Sequence, residues 1–301
     1  MTANSLVSLS NDLASLVEQT GPSVVAVHAR PRFHSSGVHW SHGVIVTAEH
    51  ALQKDEEIAI TTQAGEKLEA ILVGRDAGTD LAVLRVKDLS LPIATQRADT
   101  DYRTGDLALV VGRNKDSVNA SLGVVSSIGG ASQTWRGGKL DRVVRLDVAL
   151  HPASAGAAVV DAAGQVIGIA TPVLSRAAVF AIPNATVERV VQALLSHGRL
   201  RQGYLGAGLQ PIALPQHLIT SLALESGTGL MTVSVDDDGP AAKAGLMIGD
   251  VLLALNGTPV QRPEGLRPLL AEFVDKPLAA KVLRGGELTA LEFIVGERPG
   301  R

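Results

Sequence analysis

Residues 146–169 read LDVALHPASAGAAVVDAAGQVIGI, and this stretch decides the fold. Two apolar runs, at 157–160 and 166–169, flank a turn, and this pattern predicts a hairpin of buried strands. The loop before them, residues 151–156, has side chains too small for a core and too apolar for an ordinary surface loop. Such a loop ahead of a buried hairpin is where a catalytic nucleophile is expected.

More short strands precede and follow this hairpin, separated by turns that are often rich in glycine. Many strands at this spacing predict a mainly β fold, an all-β sandwich or barrel, rather than a βαβ fold. Helical spacing of apolar residues predicts helices at 6–18 and 184–197. The predicted strands of this part are 23–29, a strand over 43–52 that runs into a short turn or helix, a hairpin over 58–73, 81–86, 107–111, 121–128, 143–149, 157–161, 166–170 and 179–183.

The composition indicates a globular protein of about two domains, at roughly 100–200 residues for each domain. The chain has 301 residues, of which 46% are hydrophobic, 19% charged and only 3% aromatic. A second set of predicted strands begins after 199–202, so we expect one domain over 1–200 and a second over 201–301. The second should have strands at 229–235, 251–255, 278–283 and 289–295, and helices after Pro240 and at 263–273.

Charge and cysteine content exclude several classes of function. The net charge of −3 gives no reason to bind nucleic acid or an anionic membrane, and the absence of cysteine excludes disulfides and thiolate zinc sites. No cofactor is expected. No apolar run is long enough for membrane insertion, and the N-terminus has no signal-peptide pattern. The sequence as written therefore predicts a cytoplasmic protein, or a periplasmic or other extracytoplasmic one if a leader has been removed.

Three histidines, His34, His39 and His42, fall close together in what is predicted to be a loop with Trp40. Their proximity suggests a metal site, but no carboxylate or further ligand has supporting spacing. We therefore interpret them as ordinary loop histidines and expect no metal.

Two other residues have side chains that serine proteolysis needs. His50 lies where a buried strand runs into a short turn or helix, and Asp80 lies at the start of a strong β-run. An imidazole that takes a proton and a carboxylate that orients it are two members of a catalytic triad. We expect the two side chains to be about 2.6–3.2 Å apart. The alternative is a structural histidine and a turn aspartate.

These residues lie in motifs that resemble the HtrA family of trypsin-like serine proteases. The run Arg75-Asp76-Ala77-Gly78-Thr79-Asp80-Leu81 matches the family pattern almost letter for letter, and residues 146–169 resemble its nucleophile loop. The resemblance covers about residues 15–195. It implies a trypsin-like double β-barrel with serine endopeptidase chemistry, in which His50 and Asp80 are catalytic.

In this resemblance, Ala155 occupies the position of the attacking serine. Counting eight residues from Asp147, or back six from Asp161, reaches Ala155 and not Ser154. A slip of one residue would turn a side chain to the other face, so we expect Ser154 to point away from His50. Alanine cannot attack a carbonyl, so the chain as written is predicted to be inactive as a peptidase.

The oxyanion loop implied by the resemblance is Ala153, Ser154 and Ala155. Ala153 replaces the family's glycine, and Ala157 and Ala158 replace its Gly and Pro. This spread of alanines favours natural loss of the serine, whereas engineered replacement of a single serine is the alternative. Leu150 matches a position in the specificity pocket, which we assign to Leu150, Ala178 and Phe180. We expect this pocket to accept an apolar side chain such as Val, Leu or Ala.

The second unit resembles an α+β PDZ domain of the HtrA type. The matching segments are 203–207, GYLGA, and 239–252, GPAAKAGLMIGDVL. Such domains add a peptide to a sheet edge and hold its C-terminal carboxylate in an amide nest. The predicted peptide-binding residues are Tyr204, Leu205, Gly206, Ala207, Leu266 and Leu270. Alternatively, the helix residues Leu266 and Leu270 belong only to the core.

The sequence leaves three functions open. The chain is a protease whose serine has been removed, or a pseudoprotease that binds polypeptide substrates or protein C-termini, or a chaperone or adaptor that acts through assembly. Family relatives often trimerise through an aromatic-rich N-terminal segment. The first aromatic residue here is Phe33, so the usual trimer contact is in doubt, and the sequence leaves a homo-oligomer as one open possibility.

Overall fold

The computed structural model describes residues 5–30, 34–98, 101–175, 178–201 and 203–297. Phe33, on which the expectation about the trimer contact rests, lies outside these residues. The chain divides into two compact units between Leu200 and Arg201. Across the described ranges, no helix is both long enough and apolar enough to cross a membrane.

A closed six-stranded barrel forms the first half of the first unit, with strand order β1-β2-β3-β6-β5-β4. Its interior is packed with aliphatic side chains such as Val25, Ile45 and Leu84. Closure leaves no sheet edge unpaired. The strands are β1 Val24–His28, β2 Ser35–Ser41, β3 Val44–Ala48, β4 Ile58–Thr61, β5 Lys67–Asp76 and β6 Leu81–Arg85.

A second closed six-stranded barrel follows, with strand order β11-β14-β13-β12-β7-β8. A separate two-stranded hairpin of β9 and β10 interrupts it. The strands are β7 Leu107–Arg113, β8 Val118–Gly129, β9 Ser132–Gln133, β10 Lys139–Leu140, β11 Val143–Asp147, β12 Ala158–Val160, β13 Val166–Thr171 and β14 Val179–Pro183. These two barrels confirm the predicted mainly β, trypsin-like architecture.

One apolar cluster joins the two barrels. It combines residues of the first barrel, such as Val46 and Val83, with residues of the second, such as Ile169 and Ile182. Helix α1 spans Ser5–Thr20 and helix α2 spans Asn184–His197. Helix α2 covers the cluster with Val187, Val190, Val191 and Leu194. This shared core fixes the two barrels against each other, so loops from both can form one site.

The prediction of a loop around His34, His39 and Trp40 is wrong for residues 35–41, which form strand β2. Ser36 is fully buried in it, and its hydroxyl donates to the Ala153 carbonyl at 2.7 Å and accepts from the Arg113 amide at 2.9 Å. Buried hydroxyls are tolerated when they are hydrogen-bonded. These partners belong to the second barrel and lie far away in the sequence. The local sequence shows only small polar residues, a composition that is typical of a loop.

The second unit is a mixed α and β domain around a sheet of order β16-β17-β18-β20-β21, with β19 paired to β18. The predicted helix over 263–273 is a 3₁₀ turn, Pro263–Gly265, followed by α5. The elements are β15 Gly203–Tyr204, β16 Ala207–Ala213, α3 Gln216–Ser221, β17 Thr228–Val235, α4 Pro240–Lys243, β18 Val251–Leu255, β19 Thr258–Pro259, α5 Leu266–Glu272, β20 Pro277–Arg284, β21 Glu287–Ile294 and β22 Gly296–Glu297. The predicted α+β PDZ architecture is confirmed.

Candidate active site

His50 and Asp80 meet at one end of the first barrel. His50 lies in a 3₁₀ turn, Glu49–Ala51, directly after β3. Its Nδ1 is 2.8 Å from Asp80 Oδ2 and 2.9 Å from Oδ1. The predicted contact is therefore present. In this arrangement the carboxylate holds Nδ1 protonated, which leaves Nε2 free to accept a proton.

Asp80 is fixed by its own backbone and by three donors. It is completely buried and has a left-handed φ of 61°, which aspartate tolerates better than most residues. Besides the ring of His50, the His50 amide donates to its Oδ1 at 2.9 Å and the Thr171 hydroxyl donates to its Oδ2 at 2.5 Å. A buried carboxylate needs such donors to remain charged.

Ala155 lies in the loop that leads from β11 to β12. A 3₁₀ turn, Pro152–Ser154, ends at Ala155, whose carbonyl accepts the Ser36 amide at 2.9 Å. The Ala155 side chain is 7% exposed and packs against Ala48, which precedes the turn carrying His50, and Ala51, which ends it. The loop of the second barrel is thus held against the His50 turn of the first.

The Ser154 hydroxyl does not join this group. It is buried and donates to Asn119 Oδ1 at 2.5 Å. This placement agrees with the expectation that Ser154 points away from His50. Ser154 therefore has a structural partner and is not available to replace the side chain at 155.

A small cleft opens beside His50 and Ala155, with a volume of about 250 Å³. Side chains of both barrels form its walls. The residues that line it are Arg30, His34, Ser35, His50, Ala51, Pro152 and Ala155.

The predicted oxyanion loop has a hydrogen bond of its own. The Ala153 amide donates to Nδ1 of His151 at 3.1 Å, and the Ser154 amide donates to the His151 carbonyl at 2.8 Å. An oxyanion hole needs amides free to face the developing charge. The Ala153 amide has instead a partner within the loop.

The predicted specificity pocket is not gathered into one packed group. Leu150 packs on the cluster inside the second barrel, whereas Ala178 and Phe180 pack on the cluster between the barrels. Phe180 also lies under the guanidinium of Arg145, with Cζ 5.7 Å from the ring centroid. The assignment of these three residues to a pocket stays a prediction.

In the second unit, the predicted peptide-binding residues divide into two groups. Tyr204 ends β15, Gly206 lies in the loop that follows, and Ala207 begins β16. Among the described residues β16 is an edge strand of its sheet, paired with β17. Gly206 has a φ of 73°, and its carbonyl accepts the Asp236 amide at 2.8 Å. The other three, Leu205, Leu266 and Leu270, are only 5–6% exposed and belong to the core of the unit.

Sequence reasoning missed Thr171 and Arg30. Thr171 is the hydroxyl residue at the end of the buried run 166–171, and a buried hydroxyl needs a partner. Arg30 donates from Nε to the Ala51 carbonyl at 3.0 Å and from Nη2 to the His50 carbonyl, which fixes the turn that presents His50. Nothing in the sequence around Arg30 indicates this role.

His28, near the cleft, makes the first unit sensitive to acid. Burial of the ring, with smaller contributions from the positive charges of His34, Lys67 and Lys115, lowers the pKa of His28 from 6.5 to about 4. The unfolded chain therefore binds a proton at this position at a pH where the folded chain does not. Stability is fully present above pH 6.5 and falls as the pH drops toward 4.

We expect the urea midpoint of unfolding to drop between pH 7 and pH 4.5, and to drop less in His28→Gln. His217→Gln, in the second unit, is the control for general effects of removing a histidine. An equal drop in the parent and in His28→Gln would contradict this origin of the pH dependence.

The barrels, the His50–Asp80 pair and the domain that follows define a trypsin-like peptidase fold with a PDZ domain. Family comparisons agree: residues 35–169 match the trypsin-like peptidase domain, and residues 231–284 match the PDZ domain. The solved HtrA-type protease AlgW with decapeptide is 28% identical, with a TM-score of 0.77 over 96% of this chain and 99% of that chain. A serine-to-alanine variant of AlgW with tripeptide is 30% identical, with a TM-score of 0.75 over 95% and 97% of the two chains.

Curated relatives are similar in sequence. The probable periplasmic serine endoprotease DegP-like of Brucella suis is 33% identical over 84% of this chain and 50% of that relative. The protein of the same name from Chlamydia trachomatis is 31% identical over 85% and 52%. The chain spans about half the length of these relatives. The chain belongs to the HtrA family of trypsin-like proteases with a PDZ domain.

Proposed function

We propose that this chain is an HtrA-type pseudoprotease, which binds polypeptides through its cleft and PDZ domain and does not hydrolyse them. The observation that carries the proposal is the side chain of Ala155, a methyl group in the cleft beside a fully formed His50–Asp80 pair. Within the described chain, Asp80 is the hydrogen-bond partner of the His50 ring, and no hydroxyl bonds to its Nε2.

The chemistry of the triad supports inactivity. In an enzyme of this class, loss of the nucleophile alone removes a factor of about 10⁶ in rate. His50 can still accept a proton, but no group at position 155 can form the covalent intermediate. The bond that ties the Ala153 amide to His151 further weakens stabilisation of an oxyanion.

Peptide binding is supported by the second unit and by the neighbours. The open edge of β16 can pair with an extended peptide, and the loop at Gly206 lies at its start. Two of the HtrA-type neighbours are AlgW with decapeptide and AlgW with tripeptide. The curated relatives are named periplasmic, which supports the extracytoplasmic alternative for this chain and gives no support to a cytoplasmic one.

A second candidate is an HtrA-type endopeptidase whose serine has been replaced. The intact bonds of Asp80 to His50 and Thr171 favour it, because a site without catalytic use has no need to keep them. The codon for residue 155 in the natural gene separates the two candidates.

Binding through the PDZ domain is tested by fluorescence anisotropy with a labelled peptide that ends in an apolar residue with a free carboxylate. We expect Gly206→Ala to weaken binding about tenfold or more, because a Cβ there meets Gly239 Cα at 3.0 Å and opposes the φ of 73°. Gly257→Ala is the matched control, since its φ is 76° and a Cβ meets nothing within 4 Å. Equal affinity in both variants would contradict the assignment of the binding loop.

A further inference from the structure

The cleft beside Ala155 is basic. Arg30, His34 and His50 contribute to its walls, and no aspartate or glutamate does among the described residues. Asp80 lies behind His50 and is completely buried. A concave surface that presents a guanidinium and no carboxylate attracts anionic groups.

The guanidinium of Arg30 has no carboxylate partner in the described part of the chain. Its Nε and Nη2 donate to backbone carbonyls, and the two N–H groups of Nη1 have no hydrogen bond to any residue that the structure describes. Two other partly buried arginines of the first unit have carboxylate partners, Arg75 with Asp55 and Arg97 with Asp161. A half-buried guanidinium without a counter-ion at the wall of a cleft is a ready partner for a carboxylate.

His34 is held at the cleft by a chain of side-chain hydrogen bonds. Its Nδ1 is 2.9 Å from Nδ1 of His28, whose Nε2 is 2.7 Å from the Thr61 hydroxyl. The two rings meet edge to face, with centroids 4.4 Å apart. With Nδ1 engaged in this way, Nε2 is the nitrogen of His34 that remains for a ligand.

The size of the cleft limits what it can hold. Its volume of about 250 Å³ lies below the roughly 300–1,000 Å³ of pockets for drug-sized ligands. The space suits one amino-acid residue better than a whole segment of chain. The side chain of Ala155 is a methyl group and adds no polar atom to the cleft.

From these observations we infer that the cleft is a carboxylate-binding site, in which Arg30 Nη1 donates to the carboxylate and His34 and His50 flank it. The inference rests on the proposed function, because it names the chemical group that the unreactive cleft retains. The carboxylate comes from the C-terminus of a peptide or from an acidic side chain.

The test titrates the full chain with three small probes: N-acetylvaline, N-acetylvaline amide and N-acetylglutamic acid α-amide. Ring signals of His34 and His50 in NMR spectra of histidine-labelled protein report the cleft, and backbone signals of residues 203–209 report the PDZ loop. The ring signals are assigned with His34→Gln and His50→Gln. Saturable shifts of the His34 and His50 rings with N-acetylvaline, and none with its amide, are expected.

Arg30→Gln should weaken the binding of N-acetylvaline at the cleft about tenfold or more, and Arg30→Lys should weaken it less. His34→Gln provides a second variant that leaves the Arg30 bonds to the His50 turn in place. Unchanged His50 ring signals in the free variants show that the turn is preserved. Binding of the glutamate probe identifies an acidic side chain as a source of the carboxylate, and its failure to bind identifies the C-terminus.

Three results would overturn the inference: equal binding of acid and amide, unchanged affinity in Arg30→Gln, or shifts confined to residues 203–209. The proposed function fails separately, if the chain cleaves an unfolded protein. A third outcome would remove this inference and leave the proposed function intact. In that outcome the chain cleaves nothing, Gly206→Ala still weakens peptide binding, and the cleft binds no carboxylate.

Discussion

Replacing Ala155 by serine is expected to create peptide hydrolysis that depends on His50. The side chain at 155 packs against Ala48, just before the turn that presents His50, and Ala51, the last residue of that turn. A hydroxyl there should reach the ring, whose Nδ1 is already held by Asp80. A complete triad is worth about 10⁶ in rate, and loss of one oxyanion donor costs about 10²–10³. The expected gain is therefore about 10³-fold or more.

The measurement is release of peptides from unfolded casein by Ala155→Ser, with Ala155→Ser/His50→Ala as control. Adding Ala153→Gly should increase the rate further, because glycine lets the loop turn its amide away from His151. No peptide release by a folded Ala155→Ser variant would contradict the assignment of residue 155. Peptide release that persists in Ala155→Ser/His50→Ala would contradict it as well.

Replacing Gly156 by alanine is expected to destabilise the first unit more than any other exchange discussed above. Gly156 has a φ of 79°, and a Cβ there would lie 2.4 Å from the Ser36 carbonyl oxygen and 2.6 Å from the Ala48 amide nitrogen. Both atoms belong to the backbone of the first barrel and cannot move aside cheaply. The left-handed φ costs about 1–2 kcal/mol, and overpacking about 1–3 kcal/mol more. The free energy of unfolding should fall by about 2–5 kcal/mol in total.

Gly65→Ala is the matched control for this exchange. Its φ is 81°, and a Cβ would meet nothing within 4 Å, so only the backbone cost of about 1–2 kcal/mol applies. Both tryptophans, Trp40 and Trp135, lie in the first unit, so their fluorescence during urea unfolding follows this unit. Equal losses in the two variants would show that residues 155–156 are not pressed against the first barrel.

Much of the fold could be predicted because the barrel strands are local patterns. Apolar runs in the sequence predicted β14 and α2 with their observed bounds, 179–183 and 184–197. Strand β2 was missed, because Ser36 is stabilised there by Ala153 and Arg113, which lie 117 and 77 residues away. No local pattern contains such a partner.

The candidate site likewise combines residues that local motifs predict with residues whose partners are distant in sequence. His50 and Asp80 were found because motifs surround them, whereas Thr171 contributes one hydroxyl from a position 91 residues beyond Asp80. Arg30 donates to backbone carbonyls of the His50 turn. Every residue has a backbone carbonyl, so the sequence of the turn does not reveal this contact. The burial of Leu266 and Leu270 likewise depends on how α5 packs in the second unit. The spacing of apolar residues does not distinguish a groove wall from a core.

The most direct test of the account compares the chain as it stands with its His50→Ala variant. Both are incubated with unfolded casein, and released peptides are quantified by mass spectrometry over several hours. We predict no release above background and no difference between the two proteins, because Ala155 offers no nucleophile to the His50–Asp80 pair. Peptide release by the chain that is lost in His50→Ala would contradict the assignment as a pseudoprotease and show that another group attacks the substrate.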